Sequence, residues 1–316
     1  MQPQSAAKPS PPSARPRRPP LLGVAFGLVM GAYVFLIGGI IVADLIYVAG
    51  TEAGHREIRE LFFVKIPPEA EMASLPRSRQ VYFEELAYRR RAMTHSVWLS
   101  IWTSAVSAVL ALLIAVPAGY VLSRGRFPGV RLLDAVVDIP IVLPPLLFGI
   151  SLLVLFQRTF IGPGLRALGL KFVFEPAGIV LVQVLIAAAY GTRMLKGTFD
   201  GLDPRLPAVA RTLGCSRARA FFTVTLSIAR NGLLAALVMV WARALALYGP
   251  IIAFVGSTAM HTEVMPTRMY LEMSVGRLEA ALLVALLMIG MAVLVLLVLK
   301  VLLGRSADMV GRMARV

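Results

Sequence analysis

Ala280-Ala-Leu-Leu-Val-Ala-Leu-Leu-Met-Ile-Gly-Met-Ala-Val-Leu-Val-Leu-Leu-Val-Leu299 runs for twenty residues without a charge, and only Lys300 interrupts the apolar block before Leu303. One helical crossing of a bilayer needs about 20 consecutive apolar residues. A soluble core can hide one such helix, but not a series of them. Five more apolar stretches stand upstream, at about 21–48, 97–122, 135–156, 178–194 and 232–255, and the quoted block falls in a sixth at about 279–303. The 316 residues are 58% hydrophobic and 16% charged, where soluble domains have roughly 45–50% and 25%. The expected fold is all-α and integral to a membrane, with six transmembrane helices.

The net charge of +15 sits mainly between these blocks, the pattern of orientation signals at a membrane surface. No basic–aromatic platform accompanies it, so nucleic acid is not an expected partner; membrane lipid is. Residues 1–20 are rich in proline, serine and basic residues and read as a disordered tail. The apolar run at 21–48 exceeds the roughly 7–15 residues of a signal-peptide core, so it is expected to remain as the first span. Lys8, Arg15, Arg17 and Arg18 should hold its start in the cytoplasm. Residues 49–95 carry charges of both signs and read as an external segment with short amphipathic helices. The basic turn at 123–131, the segment at 193–230 with seven basic and two acidic residues, and the tail at 304–316 with Arg305, Arg312 and Arg315 are expected inside. Six spans then leave both termini in the cytoplasm.

Between spans four and five the chain reads Asp203-Pro-Arg-Leu-Pro207-Ala208-Val-Ala210-Arg-Thr-Leu213-Gly214-Cys-Ser216-Arg-Ala-Arg-Ala-Phe221-Phe. Asp203 before proline signals a helix start. Gly214 suits a left-handed cap at the helix end, and Ser216 can cap a second helix. The product is a helix–turn–helix hairpin with an apolar side formed by Leu206, Ala210, Leu213, Phe221 and Leu226. It serves either as an interfacial hairpin packed on its own helices or lipid, or as a docking knob for a cytoplasmic partner.

This hairpin resembles the EAA loop of bacterial ATP-binding-cassette importer permeases. Pro207-Ala208-Val209-Ala210 stands at the Glu-Ala-Ala start, with Pro207 in place of the glutamate, and Gly214 stands where the loop has its glycine. Gly119-Tyr-Val-Leu-Ser-Arg-Gly-Arg-Phe-Pro-Gly129, Ile139-Pro-Ile-Val-Leu-Pro-Pro145, Ala242-Arg-Ala-Leu-Ala-Leu-Tyr-Gly249 and Leu278-Glu-Ala-Ala-Leu282 look like the molybdate/tungstate/sulfate branch, although Leu247 replaces its frequent glutamate. The resemblance implies a type I importer permease fold over residues 96–303, with the coupling loop at 196–229, in a bacterial inner membrane. It also implies two copies of a separate ATPase, an extracytoplasmic solute-binding protein and a second permease copy, by default an identical one. It favours molybdate or tungstate, with sulfate, thiosulfate or another small solute as alternatives.

The chain has no phosphate-loop motif, so ATP hydrolysis is expected on a partner and no cofactor is implied. Histidines 55, 95 and 261 are too scattered to hold a metal, and no catalytic constellation stands out. The hairpin residues named from Asp203 to Phe221 are the expected ATPase contacts. For the pathway, Pro140, Pro144 and Pro145 should interrupt span three as a gate or as a static kink. Arg243 is a charge deep within span five, facing the route of an oxyanion or held in a structural pair; Asp138 is one candidate partner. Tyr248 and Gly249, late in span five, line a gate or simply pack. A secondary carrier would need midplane carboxylates for its coupling ion, and the spans offer only Asp138 and Asp44. A non-transporting scaffold is the remaining alternative.

Overall fold

The computed structural model describes residues 20–313, with side chains for residues 25–297 except Ala70. The tail residues Lys8, Arg15, Arg17 and Arg18 lie outside the described residues, as do the side chains of Lys300, Arg305 and Arg312 and the whole of Arg315. The described backbone contains fourteen α-helices and two π-helical turns, with no strand. They are α1 (Pro20–Gly50), α2 (Glu52–Ile58) running into a π turn (Arg59–Phe63), α3 (Glu69–Met72), α4 (Arg77–Arg124), α5 (Val130–Val142), α6 (Pro145–Arg158) and α7 (Ile161–Ala167). Then follow α8 (Pro176–Asp200), α9 (Arg205–Thr212), α10 (Arg217–Ala220) with a second π turn (Phe221–Thr225), α11 (Leu226–Leu245), α12 (Gly249–Phe254), α13 (Met265–Ser274) and α14 (Leu278–Met313).

Five helices are long and apolar enough to cross a bilayer; α5 and α6, bent by 110° at their junction, are so only as a pair, and count as a sixth crossing if the pair is one broken span. The bend follows from Pro144-Pro145. A proline disfavours helical geometry in the residue before it, and Leu143 and Pro144 are extended, with ψ of 138° and 127°. Pro140 lies inside α5 without ending it, so it is not part of the interruption expected of all three prolines. Span five, expected as one helix over 232–255, is also broken: α11 stops at Leu245 and α12 begins at Gly249. Pro250 sits in the first turn of α12, where its missing N–H leaves no helical bond unmade.

The core is built on close helix approach. Ala108, Ala111, Ala115 and Gly119 recur along one face of α4 and meet Ala187, Ala188, Gly191 and Thr192 of α8. Small side chains let backbones come together where lipid offers no hydrophobic drive between helices. A Cβ on Gly119 would stand 3.0 Å from the Lys196 nitrogen, so this position admits little more than hydrogen. Buried Gln183 then stitches three helices: Ser107 Oγ donates to its Oε1 at 2.8 Å, and its Nε2 donates to the Ala244 carbonyl at 3.0 Å. Gln183→Leu should cost about 1 kcal/mol, read as a lowered thermal midpoint of the purified chain. An unchanged midpoint would show that the stitch adds nothing.

The boundary expected at residue 95 does not exist as a break. Arg77–Arg124 is one helix of 48 residues, roughly 72 Å long, so the second half of the charged segment is the N-terminal extension of the helix that holds span two. Several of the charges that suggested a loop are tied down between helices instead. Arg89 bonds Glu57 and lies 3.4 Å from Glu60, and Arg90 Nε donates to the Glu60 carbonyl at 3.1 Å. At its other end α14 continues to Met313, through the residues expected as a separate tail.

Candidate functional site

The structure divides the expected residues into a hairpin and a pair of broken helices. In the hairpin, Asp203 Oδ1 accepts the Arg205 N–H at 2.9 Å, which starts α9. The end of α9 is a Schellman cap: Gly214 N–H donates to the Arg211 carbonyl and Cys215 N–H to the Ala210 carbonyl, both at 3.1 Å. Gly214 has φ of +90°, a left-handed geometry that disfavours side chains. Ser216 Oγ then accepts the Arg219 N–H at 3.2 Å and caps α10. No residue of α9 is buried. Ala208 and Gly214 are exposed, Pro207 and Ala210 are half-buried, and Leu213 is 81% exposed.

Phe221 departs from the expected apolar side. The π turn directs its ring inward, 4.7 Å from Tyr120 and 6.5 Å from Phe199, while Phe222 faces outward. Phe221 therefore anchors the hairpin root rather than extending its exposed face. Arg124 reinforces that root: its Nη2 donates to the Phe199 and Leu202 carbonyls at 2.6 Å each.

The two helix breaks meet. Gly249 packs beside Leu146, directly after Pro144-Pro145, and Gly149 of α6 abuts Pro250 of α12. Tyr248 lies between α11 and α12 with its ring 5.4 Å from Tyr270. Arg243 sits in the last turn of α11, where a cation complements the helix C-terminus. Its guanidinium lies 4.7 Å over the Tyr190 ring, and its buried Nε has no hydrogen-bond partner among the described residues.

Asp138 is not the partner of Arg243. It pairs with Arg193, which also bonds Asp134 at 2.8 Å, and Lys196 Nζ lies 3.0 Å from Asp134. This four-charge cluster holds α5, which buries no side chain of its own, against α8. The signal for it was an acidic pair four apart facing a basic pair three apart, each on one helix face. A second unexpected cluster lies in the connection after α12. Glu263, which Arg268 contacts at 3.1 Å and Ser96 Oγ at 3.3 Å, is buried, and Arg268 reaches Glu272 at 3.3 Å. Burial pushes the Glu263 carboxyl above its ordinary range despite the pull of Arg268. Arg277 continues the network, 3.4 Å from Glu272 and 3.8 Å from Glu57.

Residues 108–308 match the family described as binding-protein-dependent transport system inner membrane component. The chain is 34% identical over 227 residues to the molybdenum transport system permease protein ModB of Escherichia coli, spanning 70% of this chain and 99% of that one. It is 37% identical over 153 residues to the molybdate/tungstate transport system permease protein WtpB of Thermococcus kodakarensis, spanning 48% of this chain and 57% of that one. Among solved structures, a bacterial transporter importing the polysaccharide alginate has a similar fold, with a TM-score of 0.58 at 14% identity over 90% of this chain and 98% of the other. An alginate transporter bound to its periplasmic protein gives 0.60 at 12% identity over 87% and 92%.

Proposed function

The chain belongs to the binding-protein-dependent transport system inner membrane components, and we propose that it carries molybdate or tungstate through an ATP-binding-cassette importer. The likeness to a molybdenum permease over 99% of that protein's length carries the substrate reading. It is a transport subunit, and in this reading hydrolysis falls to two copies of a separate ATPase. An extracytoplasmic binding protein delivers the oxyanion, and a second copy of the chain completes the route. The chain crosses a bacterial inner membrane six times with both termini in the cytoplasm. Residues 49–95 then lie outside, 96–303 form the permease core, and the hairpin within 196–229 grips the ATPase.

In that hairpin Leu206, Val209 and Leu213 form the exposed apolar contact, and the Asp203, Gly214 and Ser216 caps hold its shape. Motion of the ATPase pair would shift the hairpin and bias the spans between two states. The joined breaks at Pro144-Pro145 and Tyr248-Gly249 form the gate, with Pro140 in the last turn of the helix that leads to it. Arg243 supplies a positive element near the route. Its site must bind weakly, since a tightly held ion would stall release. Within the described spans Asp138 is committed to Arg193 and Asp134 to Arg193 and Lys196, which leaves Asp44, near the end of α1, as the carboxylate a secondary carrier would have for its coupling ion.

The test is uptake of radiolabelled molybdate into proteoliposomes containing the chain, its ATPase and its binding protein. Uptake should require ATP, survive collapse of ion gradients and resist excess sulfate. Sulfate competition would shift the substrate, and dependence on an ion gradient would overturn the reading. Arg243→Ala should lower uptake about tenfold, the effect of losing one charge-assisted contact, with folded yield maintained. Loss of the folded complex instead would make Arg243 structural.

A further inference from the structure

We propose that the short helix following α1 holds the phosphate of an anionic phospholipid headgroup. Thr51 caps α2 by accepting the Gly54 N–H at 3.1 Å, so the chain turns immediately where α1 ends. The helix cannot move far from that end, because a Cβ on Gly54 would overlap the Val48 carbonyl. Its inner face, Ile58 and Leu61, packs against Met93 and Val97 of α4. That contact lies one residue from Trp98, which is 66% exposed, and three residues after Tyr47, which is 42% exposed, α1 ends. Exposed tryptophan at the start of the apolar stretch of α4, and exposed tyrosine near the end of α1, mark the headgroup level of a bilayer. The outer face of the short helix is therefore held at that level.

That outer face carries the chemistry. His55, Arg56 and Arg59 line a cleft of about 640 Å³ together with Glu52, Glu60, Val64 and Tyr82. Arg56 and Arg59 are exposed and form no ion pair among the described residues, whereas Glu60 is already engaged by Arg89. Glu52 is the remaining carboxylate of the cleft, in the first turn of α2. Beside the cleft, Phe62 and Phe63 are 54% and 77% exposed. Uncommitted guanidinium groups next to exposed aromatic rings suit a phosphate attached to acyl chains: arginine grips the oxyanion in a fork, and the rings enter the acyl boundary. A free anion would make no use of the phenylalanines.

The experiment uses the full chain in nanodiscs, with Trp102→Phe and Trp241→Phe leaving Trp98 as the fluorophore. Quenching by brominated phosphatidylglycerol is compared with quenching by brominated phosphatidylcholine. The parent chain should prefer the anionic lipid, and Arg56→Gln/Arg59→Gln should reduce the preference by about 25-fold at most, given about fivefold per basic residue at a membrane surface. Arg77→Gln/Arg79→Gln, which removes equal charge from the start of α4, should leave it unchanged. Glu52→Gln should raise it, which keeps the test decisive if the arginine variant misfolds. No preference in the parent, or equal losses in both arginine pairs, would overturn the proposal. So would full displacement by inorganic phosphate, which would identify a site for soluble anions.

Discussion

A chain carrying Gly214→Val should fold, reach the membrane and lose at least about tenfold in ATP-driven uptake. The reason is local. Gly214 has φ of +90° and closes α9 through the two Schellman bonds, and a β-branched residue in left-handed geometry costs about 2 kcal/mol. A Cβ there meets nothing within 4 Å, so the strain is conformational and leaves the body of the protein untouched. It falls on the turn that orients α9 relative to α10. Hydrolysis and uptake measured on the same proteoliposomes should therefore separate, with ATP still consumed and molybdate no longer moved. Gly214→Asn should keep more activity than valine, because asparagine tolerates left-handed geometry better. Uptake equal to the parent in the valine variant would remove the hairpin from the coupling role.

Gly149→Val should act on the fold itself. Its Cβ would stand 2.6 Å from the Pro250 oxygen, 2.7 Å from the Pro250 Cα and 3.0 Å from the Ala253 Cβ. Two of these are backbone atoms, which no rotamer change can clear. Helices α6 and α12 would have to separate, at about 3 kcal/mol for such overpacking. The expected result is a strongly reduced folded yield and a lowered thermal midpoint, with Gly149→Ala intermediate. If the valine variant matched the parent in both, the two helices following the breaks would not be packed as described.

These two glycines differ in how far sequence could reveal them. The turn at Gly214 is read from a handful of adjacent residues, because its cap bonds and left-handed backbone are local chemistry. The apolar spans are likewise legible, since a bilayer imposes its thickness on each one separately. Gly149 offered no such sign: its neighbour Pro250 is a hundred residues away and becomes a constraint only when α6 meets α12. The outer part of α4 misled for the same reason. Arg89 and Arg90 look like loop residues until Glu57 and the Glu60 carbonyl, some thirty residues earlier, are folded against them. Asp138 is similar, since the sequence offered Arg243 as its partner and only packing selects Arg193. The inward turn of Phe221 depends on the π winding of residues 221–225, which hydrophobic periodicity of 3.6 does not anticipate.

Because α4 runs unbroken from Arg77 to Arg124, it works as a lever arm. At roughly 72 Å, a tilt of about 5° displaces one tip relative to the other by about 6 Å. Arg89, about three turns in from one tip, is tied to Glu57, and Arg124 at the other tip is tied to the root of the α9–α10 elbow. A push at either end is thus passed along one continuous helix, in which Pro117, two turns before Arg124, is the place where the missing backbone donor lets it bend.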